Sequence, residues 1–201
     1  IYQLNTQFHF NEINLIIDIG GSKTEIFLVK IDNYDYTIID KKIEKNLGGR
    51  DFDKKLLKYM IEKLEKQENI KIKGKLERNL ELECEKTKIS LSSGNSLNLE
   101  FNYIYEDEDR SANYEVERKV FENLCNELFK QFEDLVKNFI NSHNDININQ
   151  VILIGGTSRI PKIKKIISSI FGENKINYTL NPDETIAKGA ALYASIISDE
   201  Q

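Results

Sequence analysis

Residues 151–172 read VILIGGTSRIPKIKKIISSIFG, and they form one continuous device: a buried strand, a glycine turn and a helix start. Val151, Ile152, Leu153 and Ile154 are an apolar run of strand length, Gly155 and Gly156 break it, and Pro161 stands where the first turn of a helix tolerates a residue without an N–H. A strand feeding a glycine turn and then a helix leaves unpaired N–H groups converging on one spot, with the positive end of the helix dipole behind them. Such a spot binds anions. An ordinary strand-to-helix connection has the same pattern, so the other segments decide between the two.

Upstream, the chain begins as a β-meander. Residues 15–19 are an apolar strand ending at Gly20-Gly21, residues 25–31 a second strand rich in β-branched and aromatic residues, and residues 36–43 a third, after a turn at Asp32-Asn33. A second glycine pair, Gly48-Gly49, marks the change from strands to helices. Phe52, Leu56, Met60 and Leu64 then recur every four residues, which stacks them on one helix face. A second helix from about Lys75 carries Leu76, Leu80, Cys84, Thr87 and Leu91 on one stripe. Residues 97–105 alternate as a strand with one buried face, and the acidic run 106–109 reads as a solvated hairpin tip. Phe121, Leu124, Leu128, Phe132, Leu135 and Phe139 predict the longest helix, about residues 115–142. After the polar linker 145–150 and the strand and helix quoted first, residues 176–180 read as a short strand. Asn181 as cap, Pro182 at the first helical position and Glu184 at the capping-box position open the last helix, whose Ala187, Gly189, Ala190, Ala191 and Ala194 predict a close approach to the sheet. Three glycine pairs thus fall where strands end, which suggests several loops meeting round one ligand.

Composition narrows the function. A chain of 201 residues with 40% hydrophobic content can bury a core as one large domain or two small subdomains. Its 30% charged residues and mean hydropathy of -0.47 read as soluble. No apolar run approaches the roughly 20 residues that cross a bilayer, and no basic-then-apolar leader is present. Because it starts at Ile1 rather than methionine, the chain is expected to be a fragment. A net charge of -5 and a pI near 5.3 argue against a nucleic-acid groove, and the lysines are scattered along helix faces. Cys84 and Cys125 sit inside helical patterns without metal-ligand spacing, as buried thiols in a reducing compartment do, so a cytoplasmic location is expected. His9 and His143 lie in asparagine-rich flanks and are given no partner and no role.

Taken together, these residues resemble the second lobe of the nucleotide-binding domain of the seventy-kilodalton heat-shock chaperone family. The resemblance runs in order from Leu15 to about Ser198, and its most specific segments are LGGRDFD (47–53), CEKTKISLSS (84–93), IGGTSRIPK (154–162) and NPDETIAKGAA (181–191). It implies an α/β, actin-like ATPase fold, a ribonuclease H-like lobe at residues 1–47 and 125–201 carrying an inserted, mainly helical subdomain at 48–124. ATP or ADP with Mg2+ would lie between these and a missing first lobe. The resemblance implies that Gly20, Gly21 and Ser22 cradle phosphates and that Asp18 stands near magnesium and its waters. It implies that Glu85, Lys88 and Ser92 hold adenine and ribose, with Gly155 and Gly156 under the nucleotide, Arg159 by the base and Asp183 close to it, and Gly49 and Thr157 among the other nucleotide-binding residues. The spacing of Glu85, Lys88 and Ser92, three and four residues apart, puts an acceptor, a cation and a hydroxyl on one helix face. An exposed ion pair between Glu85 and Lys88 is the plainer reading of the first two.

The departures are informative. The family's phosphate turn reads DLGGGTFD, whereas this chain reads DIGGSKTE at residues 18–25. Ser22 replaces a glycine, Lys23 the threonine that serves hydrolysis and Glu25 the closing aspartate, and Ile89 stands where the family usually has an arginine packing on adenine. Lys23 is expected to set its ammonium beside the β- and γ-phosphates, which helps hold a triphosphate but does not orient an attacking water. Losing one such group commonly costs about 100-fold in rate, so binding with slow or absent turnover is expected, and Asp18, Lys23 and Glu25 are the catalytic candidates. The partners implied are the missing lobe, unfolded client proteins bound elsewhere in the full chain, and J-domain and nucleotide-exchange co-chaperones, with no nucleic acid and no membrane. Two other functions compete: a sugar kinase, because LIIDIGGSKTEIFLV (15–29) also resembles the DIGGTK phosphate motif of the repressor and sugar-kinase group, and a non-hydrolysing co-chaperone or interaction module.

Overall fold

Leu15, Ile17 and Ile19 alternate with Ile16 and Asp18, and in the computed structural model, which describes residues 11–32 and 35–199, that alternation becomes the central strand of a sheet. Strands β1 (Glu12–Ile19), β2 (Lys23–Asp32) and β3 (Asp35–Lys45) form the expected antiparallel meander. Its register places Leu15 opposite Leu28 and Ile17 opposite Ile26, all fully buried, and sets Asp18 opposite Glu25 on the other face. All eleven residues of β3 are exposed at the sheet edge, Tyr36 and Ile38 among them. His9 and Asn33 lie outside the described residues.

Helix α1 (Gly49–Glu68) buries the predicted stripe of Phe52, Leu56, Met60 and Leu64, and α2 (Lys75–Ser90) buries Leu80, Cys84 and Thr87. Strand β4 (Ser96–Tyr105) then turns back through Glu106 and Asp107, both at positive φ, into β5 (Glu108–Glu117). The predicted helix over 115–142 is therefore corrected at its front. Ala112, Tyr114 and Val116 alternate inward opposite Phe101, Leu99 and Leu97, a period of two that extends the strand to Glu117 before the helical stripe begins. Its remainder is two helices, α3 (Arg118–Leu124) and α4 (Asn126–Asn141), broken at Cys125. Phe52 packs 6.3 Å from Phe121 and 5.1 Å from Phe129, ring centre to ring centre, which fastens α1, α3 and α4 at the break.

Strand β6 (Gln150–Ile154) lies parallel to β1, pairing Val151 with Leu15 and Leu153 with Ile17. A 3-10 turn, Gly156–Arg159, separates it from α5 (Pro161–Phe171), so Pro161 does open the helix but the helix dipole is set back from the glycines. The expected strand 176–180 shortens to β7 (Ile176–Asn177), because the Asn177 side chain accepts the Thr179 N–H at 2.9 Å and turns the chain away. The last helix, α6 (Thr185–Asp199), begins after a turn in which the Asn181 carbonyl accepts the N–H groups of Glu184 and Thr185. Glu184 pairs with Lys188 at 2.6 Å instead of closing a capping box. Ala187, Ala190, Ala191 and Ala194 are exposed, so the predicted close approach to the sheet is not made among the described residues. The sheet order is β3-β2-β1-β6-β7. No described helix is long and apolar enough to cross a membrane. His143 does have partners: its Nε2 lies 3.2 Å from Asp40 and its Nδ1 2.8 Å from the Phe139 carbonyl, tying the end of α4 to β3.

Candidate functional site

The three glycine pairs meet. The Gly20 carbonyl accepts the Gly49 N–H at 2.9 Å and the Thr157 hydroxyl at 2.9 Å, and the Gly21 carbonyl accepts the Arg50 N–H at 2.8 Å. These loops lie close enough to exclude side chains. A Cβ on Gly48 would stand 2.6 Å from the Ser22 and Lys23 nitrogens, and one on Gly49 would stand 2.7 Å from the Thr157 hydroxyl. Gly155 has a φ of +79°, and a side chain there would run into the Ile19 carbonyl and lie 2.6 Å from the Asp18 carboxylate. Several of the amides expected to face an anion are used to join the loops: Gly20 N–H goes to the Lys23 carbonyl and Gly155 N–H to the Pro182 carbonyl, both at 3.1 Å.

Over these joints opens a cleft of about 410 Å³. Of the residues singled out in the sequence, Gly20, Gly21, Gly49, Glu85, Lys88, Ser92, Gly156, Thr157, Arg159 and Asp183 line it. Arg159 is held from two sides, its Nε 3.0 Å and Nη2 2.6 Å from Asp183 Oδ2, with Nη2 also donating to the Asn181 side chain at 2.8 Å. Ser92 falls just past the end of α2, where its hydroxyl donates to the Lys88 carbonyl at 3.4 Å. Lys88 corrects the ion-pair reading. Its ammonium pairs at 2.8 Å with Asp53 of α1 rather than with Glu85, and donates to the Gly49 carbonyl at 3.2 Å.

Asp18, Ser22, Lys23, Glu25 and Gly155 do not line that cleft. Lys23 reaches Glu25, Nζ to carboxylate 2.7 Å, while its side chain stays 48% exposed. Half-burial of Asp18 pushes its carboxyl above the ordinary range, Glu25 across the strand pair adds to the rise, and Lys23 opposes it. Burial likewise raises the Asp53 carboxyl, against the pull of Lys88. Both cysteine thiols are buried and pushed up to about 12, chiefly by desolvation, which keeps them protonated and inert.

Sequence reasoning missed Arg50, Asp53 and Ile160 of the cleft wall, and Ile89 was noted only as a departure. Asp53 had a readable signal: it follows Phe52 in the buried stripe of α1, and a carboxylate there requires a cation from another segment. Ile89 is 60% exposed, an apolar side chain open to the cleft.

Comparison with known proteins agrees with this arrangement. The family model described as Hsp70 protein matches residues 2–201. Chaperone protein dnaK of Trieres chinensis is 32% identical over 196 residues, covering 94% of this chain and 32% of that protein. Heat shock cognate 70 kDa protein 3 of Dictyostelium discoideum is 30% identical over 189 residues, covering 93% of this chain and 30% of that protein. The chain thus spans roughly a third of the length of these relatives. The fold is the mixed α/β, actin-like ATPase fold expected from the motifs, and the family match lends nothing to a sugar kinase. A match along nearly the whole chain, joined to glycine loops that close on one cleft, places this chain in the Hsp70 family.

Proposed function

We propose that the chain is the second lobe of a nucleotide-binding domain, with residues 1–47 and 125–201 as the α/β body and 48–124 as the inserted subdomain, and that its cleft holds ATP or ADP. The observation that carries this reading is the convergence of Gly20-Gly21, Gly49 and Gly156 with Arg159, Asp183, Glu85 and Lys88 round one cleft. Closely apposed main chain suits phosphates, and a half-exposed guanidinium and an apolar Ile89 lining the same cleft suit a base. In the whole protein, nucleotide state would set the angle between two lobes and thereby the hold on unfolded clients, with J-domain and nucleotide-exchange co-chaperones acting on the cycle.

Of the two carboxylates at the first glycine turn, Glu25 is engaged by Lys23, which leaves Asp18 to approach Mg2+. Hard oxygen donors suit that ion, and among the described residues no cluster of three metal-binding side chains is present, so the nucleotide's phosphates would supply most of its ligands. Lys23 adds a positive charge at the phosphate end but no hydroxyl to orient water, so slow hydrolysis is expected. Calorimetric titration of ATP and ADP, with and without magnesium, into the full-length protein tests the binding, and single-turnover hydrolysis tests the rate. Lys23→Thr is expected to speed turnover about 100-fold. Equal rates in the two proteins would sink the role given to Lys23, and absence of any nucleotide binding would sink the reading as a whole.

A further inference from the structure

Lysines that lie apart in the sequence gather in the fold. A second cleft, of about 1090 Å³, opens between the exposed edge strand β3, α1 and α4, and it shares no residue with the first. Small-molecule pockets run to roughly 1,000 Å³, so a cleft of this size suits a length of peptide. Its floor is apolar: Leu128, Leu135 and Phe139 recur along one face of α4, and Leu47 lines it too. Its rim carries six lysines, three from β3 and three from α1, in a protein whose net charge is -5. Lys55 pairs with Glu127 at 2.8 Å and Lys54 with Asp51 at 3.5 Å. Asp40, also on the rim, faces His143 at 3.2 Å. The ammonium groups of Lys41, Lys42, Lys45 and Lys58 have no such partner among the described residues, and of the lining carboxylates only Glu44 and Asp134 remain to offset them.

Like charges gathered on two facing elements repel one another, and an anion between them relieves that cost. We propose that this cleft docks an acidic segment of a partner protein, with the segment's apolar side chains on the α4 floor and its carboxylates on the lysine rim. Protein interfaces of this build put apolar contact at the centre and charge at the edge, where charge sets specificity and the rate of encounter. A nucleic acid fits less well. The rim's own carboxylates repel a phosphate chain, and the one aromatic ring of the floor, Phe139, is 6% exposed and already packed 4.9 Å from the His143 ring, so bases find nothing to stack on. The proposal does not depend on nucleotide binding in the first cleft.

Fluorescence anisotropy with the full-length protein tests this, using a labelled peptide of about 15 residues that sets leucines at helical spacing among glutamates. Three probes run beside it: the same peptide with glutamine for glutamate, the same with serine for leucine, and a labelled oligothymidylate. The acidic leucine peptide is expected to bind at least about tenfold more tightly than each of the three, and to weaken several-fold as salt rises from about 50 to about 300 mM. Lys42→Glu, Lys45→Glu and Lys58→Glu together are expected to cut its affinity at least about tenfold, with the melting temperature held because these exposed side chains make no ion pair. Should that reversal of charge disturb the fold, glutamine at the same three positions serves instead, with an expected loss of about threefold or more. Equal or tighter binding of any of the other probes overturns the proposal, as does no binding of the acidic leucine peptide or its full affinity for the folded variants.

Discussion

The joints round the cleft are of two kinds. In the first, main chain meets main chain: the Gly20 carbonyl takes the Gly49 N–H, the Gly21 carbonyl takes the Arg50 N–H and the Pro182 carbonyl takes the Gly155 N–H. In the second, side chains from distant segments meet: Lys88 with Asp53, and Arg159 with Asp183 and Asn181. Main-chain joints forbid side chains, so they select glycine and tolerate little else. Side-chain joints require partners, and half-exposed ones can be rebuilt at small cost.

This contrast can be broken by substitution in each kind of joint. Gly155→Val carries the largest expected effect, because it combines a collision with Ile19 and Asp18 with a backbone conformation unfavourable to any side chain. A loss of about 3 kcal/mol or more in urea unfolding is expected, and a variant as stable as the parent would end the distinction between the two kinds of joint. Arg159→Ala, in a pair whose side chains are 46% and 54% exposed, is expected to move stability by less than about 1 kcal/mol. Its nucleotide affinity, however, should fall about tenfold, as for a lost hydrogen bond to a charged group. Ile89→Arg sharpens the comparison in the other direction: a planar cation over the base should tighten ADP binding about 2- to 5-fold in calorimetry. The smallest effect concerns pH. The Asp18 carboxyl is raised above 3.8 by burial, so the folded chain holds that proton more tightly than the unfolded one, and its contribution falls as pH rises from 3.8 through the raised value. Lys23→Thr removes the charge that opposes this rise and should extend the loss to higher pH; unfolding free energies of both proteins between about pH 4 and pH 7 will show it, and an unchanged difference between them would refute it.

The same contrast explains what could be read in advance. Gly48, Gly49 and Gly155 betray the main-chain joints because steric exclusion leaves one residue type, and the strands that lead to Gly20 and Gly155 alternate or run apolar without interruption. The hairpin tip read at 106–109 implied a returning strand, but the end of β5 was misplaced because Glu115, Val116 and Glu117 run directly into the heavily apolar stripe after them and read as helix. The Lys88–Asp53 pair spans 35 residues, and local spacing favoured Glu85 as the nearer partner. Only the packing of α1 against α2 makes the distant choice. His143 failed in the same way, since Asp40 reaches it from β3, far back along the chain.

The Gly20 carbonyl, held by an amide from one excursion of the chain and a hydroxyl from another, acts as a keystone that depends on a single side chain, Thr157. Substitutions that spare Thr157 and the tightly apposed Gly48, Gly49 and Gly155 can therefore accumulate without loosening the frame on which they sit. Ser22, Lys23 and Ile89 are revisions of that kind, and a lineage can retune its chemistry through them while the architecture stays fixed at about 30% identity to its relatives.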